Sequence, residues 1–154
     1  MVKNIMEILE KNNFKITFAE SCTGGALVAK FVEVAGASNY LDESYITYAN
    51  ESKINLINVK KETIDKYGVV SESVAYEMCV GAAKKAKADI CISSTGIAGP
   101  SDDMGLVCLG FYINGKTITK TLNIKAKSRI EVIQKAVEDA YETLLYLFSI
   151  LIKE

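Results

Sequence analysis

ADICISST, residues 88 to 95, is the stretch on which the fold turns. It is a nearly continuous apolar run of strand length, bounded by charge on one side and by GIAGP (96–100) on the other. An amphipathic strand alternates between core and solvent, whereas a run without alternation suits a strand covered on both faces, as in the middle of a helix-flanked sheet. The segments around it support that placement. Before it, Ser71 and Glu72 open a helix expected to run to about Lys85. After it, residues 106–113 and 117–124 flank Asn114-Gly115, the strongest short hairpin signal in the chain, which adds an antiparallel pair to the sheet.

Further outward, Val2, Ile5, Met6, Ile8 and Leu9 recur at helical spacing over residues 2–12, and an extended segment follows from Lys15 to Ala19. ESCTGG (20–25) then gives way to a helix, ALVAKFVEVAG (26–36), ended by Gly36. SYITYAN (44–50) reads as a second strand, and ESKINLINV (51–59) and KKETIDKYG (60–68) as short helices. From Ser128, a plausible cap, a long helix carries Ile130, Ile133, Val137, Ala140, Tyr141, Leu144, Leu145 and Phe148 on its apolar positions. Its end, LLYLFSILI (144–152), is apolar around more of its circumference than one core stripe needs, so a subunit contact and a homo-oligomer are expected. Helices interleaved with strands predict an α/β fold, one three-layer domain over 1–154 with a mixed sheet and helices on both faces.

Composition narrows the chemistry. The 154 residues are 49% hydrophobic and 24% charged, a globular balance. Eighteen basic against nineteen acidic residues leave a net charge of −1, with no excess of cations for a polyanion, so no nucleic acid partner is expected. There is no histidine, which removes Ser-His-Asp and Cys-His hydrolysis and every His-ligated metal; no metal or cofactor is expected. Cys22, Cys79, Cys91 and Cys108 form no C-x-x-C pair and read as buried free thiols. Charges at Lys3, Glu7, Glu10 and Lys11 interrupt what a signal peptide would need, and the longest uncharged apolar run is half a bilayer span. A cytoplasmic protein with no membrane partner is expected.

Three polar segments sit where strands hand over to turns or helices, the usual ligand position in open α/β sheets: ESCTGG (20–25), YANESK (48–53) and STGIAGP (94–100). The first can present backbone N–H groups at a helix N-terminus to a phosphate or an oxyanion, although a tight turn with a Ser or Thr cap has the same pattern. Gly96, Gly99 and Pro100 can equally turn a buried strand, with Thr95 bonding locally. Lys53 matters because a partly buried lysine is one of few groups able to act as a base near neutral pH when histidine is absent. Tyr48, Ser21 and Ser38 supply hydroxyls, and Ser-Lys pairing is one route to acyl chemistry without histidine. Spacing alone leaves open which serine meets the lysine.

Taken in order, TFAESCTGG, GASNYLDESYITYANESK, YGVVSESVAYEMCVGAA and STGIAGP resemble the C-terminal domain of the competence- and damage-inducible CinA proteins, whose stand-alone members include nicotinamide mononucleotide deamidase. The resemblance runs from about residue 4 to 150. It implies a three-layer α/β fold and metal-independent hydrolysis of the mononucleotide's carboxamide to the acid and ammonia. On matching positions it makes Ser38 the nucleophile and Lys53 its base, with Tyr48 beside them. Ser21, Thr23, Gly24 and Gly25 become an anion-holding turn, Asn50 a further substrate contact, Thr95 and Gly96 the opposite wall, and Arg129 the phosphate's cation. The chain departs from the pattern in its short acidic SDDMGLVCLG (101–110), in KSR (127–129) for the usual G-D-R, and in Ile133 for a second arginine. These departures touch substrate grip, so the alternative function is a non-catalytic module binding a nucleotide or pyridine ligand.

Overall fold

The computed structural model describes residues 1–153; Glu154, the last residue of the expected domain, lies outside them. The element order is α1 (Val2–Asn12), β1 (Ile16–Glu20), α2 (Ala26–Val32), a 3-10 turn (Ala37–Asn39), β2 (Tyr45–Ile46), α3 (Asn50–Ile57), α4 (Lys61–Tyr67), α5 (Glu72–Ala86), β3 (Ile90–Gly96), β4 (Leu106–Ile113), β5 (Lys116–Asn123) and α6 (Arg129–Leu151). Five strands form one sheet in the order β2-β1-β3-β4-β5. β2, β1 and β3 are parallel, and β4 and β5 run antiparallel, so the sheet is mixed. β3 lies at its centre, paired on both edges, as the apolar run of 88–95 predicted. The hairpin turns at Asn114-Gly115, both with positive φ, between Ile113 and Lys116.

Alternation along each strand divides the interior into two cores. Phe18, Ile92, Leu109 and Phe111 face a cluster with Leu9 of α1, Leu27 and Phe31 of α2, and Tyr141 and Leu144 of α6. Ala19 and Cys91 face the other side, against Ile57 of α3 and Val74, Met78, Cys79 and Ala82 of α5. Full burial of side chains such as Phe18 and Phe31 contributes about 1.5–3 kcal/mol each. α3 can approach α5 because Gly81 has no side chain: a Cβ there would collide with the Ile57 carbonyl. That close approach sets the height of the helix bearing Lys53.

Helix starts follow their caps. Ser71 Oγ accepts from Val74 N at 3.2 Å, and Ser128 Oγ accepts from Glu131 N at 3.3 Å, each satisfying an amide that has no intrahelical acceptor. Two expected elements are shorter than their sequence patterns. The second strand comprises only Tyr45–Ile46, because Thr47 N closes on Glu20 O and Ala49 is already the extended cap of α3. α2 ends at Val32 rather than near Gly36, where Val34 N bonds back to Phe31 O and Gly36 takes φ 94°. All four cysteines are free and buried. Among the described residues, no helix is long and apolar enough to cross a membrane.

Candidate active site

The three polar segments converge at the C-terminal ends of β1, β2 and β3. Ser21 directly follows β1 and is 8% exposed. Lys53, four residues into α3, is completely buried. Its Nζ lies 3.0 Å from Ser21 Oγ, 2.7 Å from Thr47 O and 3.1 Å from Tyr48 O. Among the described residues, no carboxylate is within salt-bridge distance of it. Burial without a counter-ion disfavours the ammonium, and the Lys53 amine is held below its usual range, desolvation outweighing an opposing influence of Cys22.

The three oxygens around Nζ give the amine a direction. Thr47 O and Tyr48 O are carbonyls and can only accept, so a neutral amine spends both N–H bonds on them. Its lone pair then faces the remaining neighbour, Ser21 Oγ, whose hydroxyl can donate. This is the geometry of a base aimed at an alcohol, within the reach that proton abstraction requires. The thiol beside the serine does not compete for that part, since burial pushes Cys22 up to about 11 and keeps it protonated.

Ser38, expected as the nucleophile, stands elsewhere. It is exposed on the 3-10 turn. That turn packs at the opening of β1, where Ile16 N donates to Tyr40 O and Ile16 pairs with Leu41. Ser21 is beyond the other end of the same strand, roughly 15 Å away at the usual rise per residue. Within one chain the alcohol against Lys53 is therefore Ser21, and Ser38 does not meet the amine.

The ESCTGG turn also differs from a waiting anion site. Glu20, fully buried, projects from the sheet face opposite Ser21 and sits at the head of α2. Its Oε1 accepts from Thr23 Oγ1 at 2.6 Å, Leu27 N at 2.8 Å and Gly25 N at 3.2 Å, and its Oε2 accepts from Val28 N at 3.1 Å. The chain's own carboxylate thus occupies the amides that a substrate phosphate was expected to use. Gly24 and Gly25 adopt φ 58° and 106° to make the bend, and Thr23 Oγ1 also meets Ser94 Oγ at 2.7 Å. Among the described residues, no backbone acceptor pairs with the amides of Cys22 and Thr23, the two residues that follow Ser21.

The rest of the expected set forms a rim. Arg129 Nη2 donates to Tyr48 Oη at 2.8 Å, 81 residues away in sequence, and its Nη1 donates to Gly99 O, tying the second and third segments together. Tyr48 presents its ring outward, 57% exposed, while its backbone carbonyl holds Lys53. Asn50 is exposed as the first residue of α3. Thr95 is not an open wall, because its hydroxyl is spent on Val69 O at 2.8 Å. Gly96 is required by packing, since a Cβ would lie 2.8 Å from Leu106 O. Sequence reasoning passed over Glu20, Ser94 and Thr47. A lone acidic residue at the end of an apolar strand, just before a helix N-terminus, was the available signal for Glu20. Nothing local marked Thr47, whose buried hydroxyl has no partner among the described residues.

Over residues 1–148 the chain matches a family model described as the CinA C-terminal domain. A competence-damage inducible protein of Clostridium botulinum (strain ATCC 19397 / Type A) is 52% identical over 124 residues, covering 77% of this chain and 30% of that protein. A CinA-like protein of Kosmotoga olearia is 48% identical over 125 residues, covering 78% and 30%. The chain therefore spans about 30% of the length of these curated relatives. Among solved structures, a CinA superfamily protein from Escherichia coli superposes with TM-score 0.90 at 30% identity, covering 95% of this chain and 87% of that one. The competence/damage inducible protein CihA from Agrobacterium tumefaciens gives TM-score 0.89 at 31% identity, covering 95% and 92%.

Proposed function

The chain belongs to the CinA C-terminal domain family, and from that premise we propose that it is an amidohydrolase that deamidates nicotinamide mononucleotide through a Ser21–Lys53 dyad. The observation that carries the reading is the fully buried amine 3.0 Å from Ser21 Oγ, with its other two contacts both carbonyls. Lys53 takes the Ser21 proton as Oγ attacks the carboxamide carbon. The amides of Cys22 and Thr23 receive the oxyanion, a contribution typically worth about 10² to 10³ in rate per donor. Lys53 returns its proton to the departing nitrogen, and ammonia leaves an acyl ester on Ser21. Water, deprotonated by the same amine, then opens the ester to the carboxylate and restores the serine.

Arg129 is the cation for the phosphate, since the head of α2 is already filled by Glu20; its planar guanidinium suits that anion. The outward residues Tyr146 and Ile150 of α6 are the surface through which copies of the chain would associate. The test is ammonia release from the mononucleotide by wild type, Ser21→Ala, Lys53→Met and Ser38→Ala. Loss in the first two variants and retention in the third is expected. Activity surviving Lys53→Met removes the dyad. Saturable calorimetric binding with no ammonia from wild type favours the binding-module reading instead.

A further inference from the structure

The nucleophile's neighbour in sequence, Glu20, is a buried carboxylate with no cation paired to it among the described residues. Four donors neutralise it instead, three of them backbone amides around the first turn of α2 and the fourth the Thr23 hydroxyl. Charge-assisted bonds of this kind are short, directional and stronger than neutral ones. They join the last residue of β1 to the start of α2 across the five-residue turn that carries Ser21. The turn is held from the sheet as well, where Ser21 N donates to Ser94 O at 3.0 Å and Thr23 Oγ1 links Glu20 to Ser94 Oγ, and it is closed on itself by Gly24 N donating to Ser21 O at 3.0 Å.

We propose that Glu20 is a positioning residue for the hydrolysis: its carboxylate, seated at the head of α2, locks the Ser21–Gly25 turn so that Ser21 Oγ meets Lys53 Nζ and the amides of Cys22 and Thr23 are held for the oxyanion. This rests on the Ser21–Lys53 reading of the site. Glu20 bonds neither the amine nor the alcohol, since its partners are Thr23, Gly25, Leu27 and Val28. Its influence passes through the turn backbone. A carboxamide in its place keeps the size but turns one acceptor into a donor, setting N–H against N–H at the helix head. The turn then relaxes, and displacement of a reacting group by about 1 Å is enough to lower a rate about 100-fold.

The experiment compares wild type, Glu20→Gln and Glu20→Asp by circular dichroism, by kcat and KM for ammonia release, and by the rate at which a fluorophosphonate labels Ser21. Labelling needs the activated alcohol but not the substrate. A folded Glu20→Gln with kcat down by about 100-fold, KM within about threefold of wild type, and labelling slowed in parallel is expected, because the interaction lost orients the reacting groups rather than binding the substrate. Glu20→Asp, which keeps the charge, recovers part of both rates. A folded Glu20→Gln with kcat and labelling both within about threefold of wild type overturns the proposal. If Glu20→Gln does not fold, Thr23→Val decides in its place, since it removes the hydroxyl link at constant shape: labelling slowed at least about tenfold supports the proposal, and unchanged labelling overturns it. Wild type that labels at Ser21 but releases no ammonia tells against the substrate reaction alone, and labelling then decides for Glu20. Wild type that does not label overturns both.

Discussion

Replacing Lys53 by Met tests the unprotonated amine through stability rather than rate. The amine is fully buried and held below its usual 10.5 by desolvation. In the pH window between that lowered value and 10.5, the unfolded chain binds a proton at this site that the folded chain does not. The slope of unfolding free energy with pH is therefore positive, and the strain that Lys53 imposes on the fold is relieved as pH rises towards 10.5, by up to about 1.4 kcal/mol per pH unit. Methionine has a similar length and no proton to bind. It leaves the Thr47 and Tyr48 carbonyls without their donor, at about 1–3 kcal/mol for each buried group left unpaired. That cost is the same at every pH, so the slope isolates the amine. Denaturant unfolding of wild type and Lys53→Met from pH 6 to 10 should show wild type gaining on the variant as pH rises. Groups whose protonation does not depend on Lys53 are common to both proteins and cancel in the difference, and a Cys22→Ala background removes the one thiol coupled to the amine. Parallel curves across the range would mean that Lys53 keeps the same protonation folded and unfolded, and the general-base reasoning would fall with it.

Because the amine must be neutral to accept the Ser21 proton, kcat/KM for ammonia release should rise with pH to a plateau whose midpoint lies below 10.5; a flat profile from pH 6 to 10 contradicts this. Thr47→Val removes a buried hydroxyl without a partner at nearly constant shape, so melting should show a variant as stable as wild type or more stable by about 1 kcal/mol, and a clear loss would reveal a bond that the hydroxyl makes. Gly81→Ala drives a methyl group into the Ile57 carbonyl and should destabilise by about 1–3 kcal/mol in denaturant unfolding, with ammonia release lowered further as α3 and Lys53 shift; unchanged stability would show that α3 and α5 separate freely.

Much of the architecture was legible in one dimension because its causes are local. The nearly continuous apolar run of ADICISST called for cover on both faces, and β3 is central. Asn114 and Gly115 accept positive φ, and the hairpin turns there. Ser71 and Ser128 satisfy exposed amides, and two helices start after them. Lys53 stood out because a chain without histidine has few other bases and this lysine closes a polar segment with hydroxyls near it in sequence, a role that the family resemblance also gave it. Its partner did not. Ser38 and Ser21 lie 15 and 32 residues from the lysine, and proximity in sequence favours Ser38, whereas the amine meets Ser21. The choice is made by the parallel pairing of β2 with β1, which carries α3 to the far end of β1 and leaves the 3-10 turn at its opening. Glu20 was hidden for a related reason: whether a carboxylate faces water, a substrate or a helix head depends on which side of the sheet the neighbouring helix covers. Hydrophobic period, turn chemistry and caps act over a few residues and can be read from their order; the dyad and its support join groups 32 and 71 residues apart, and only the packing of the layers decides such distances.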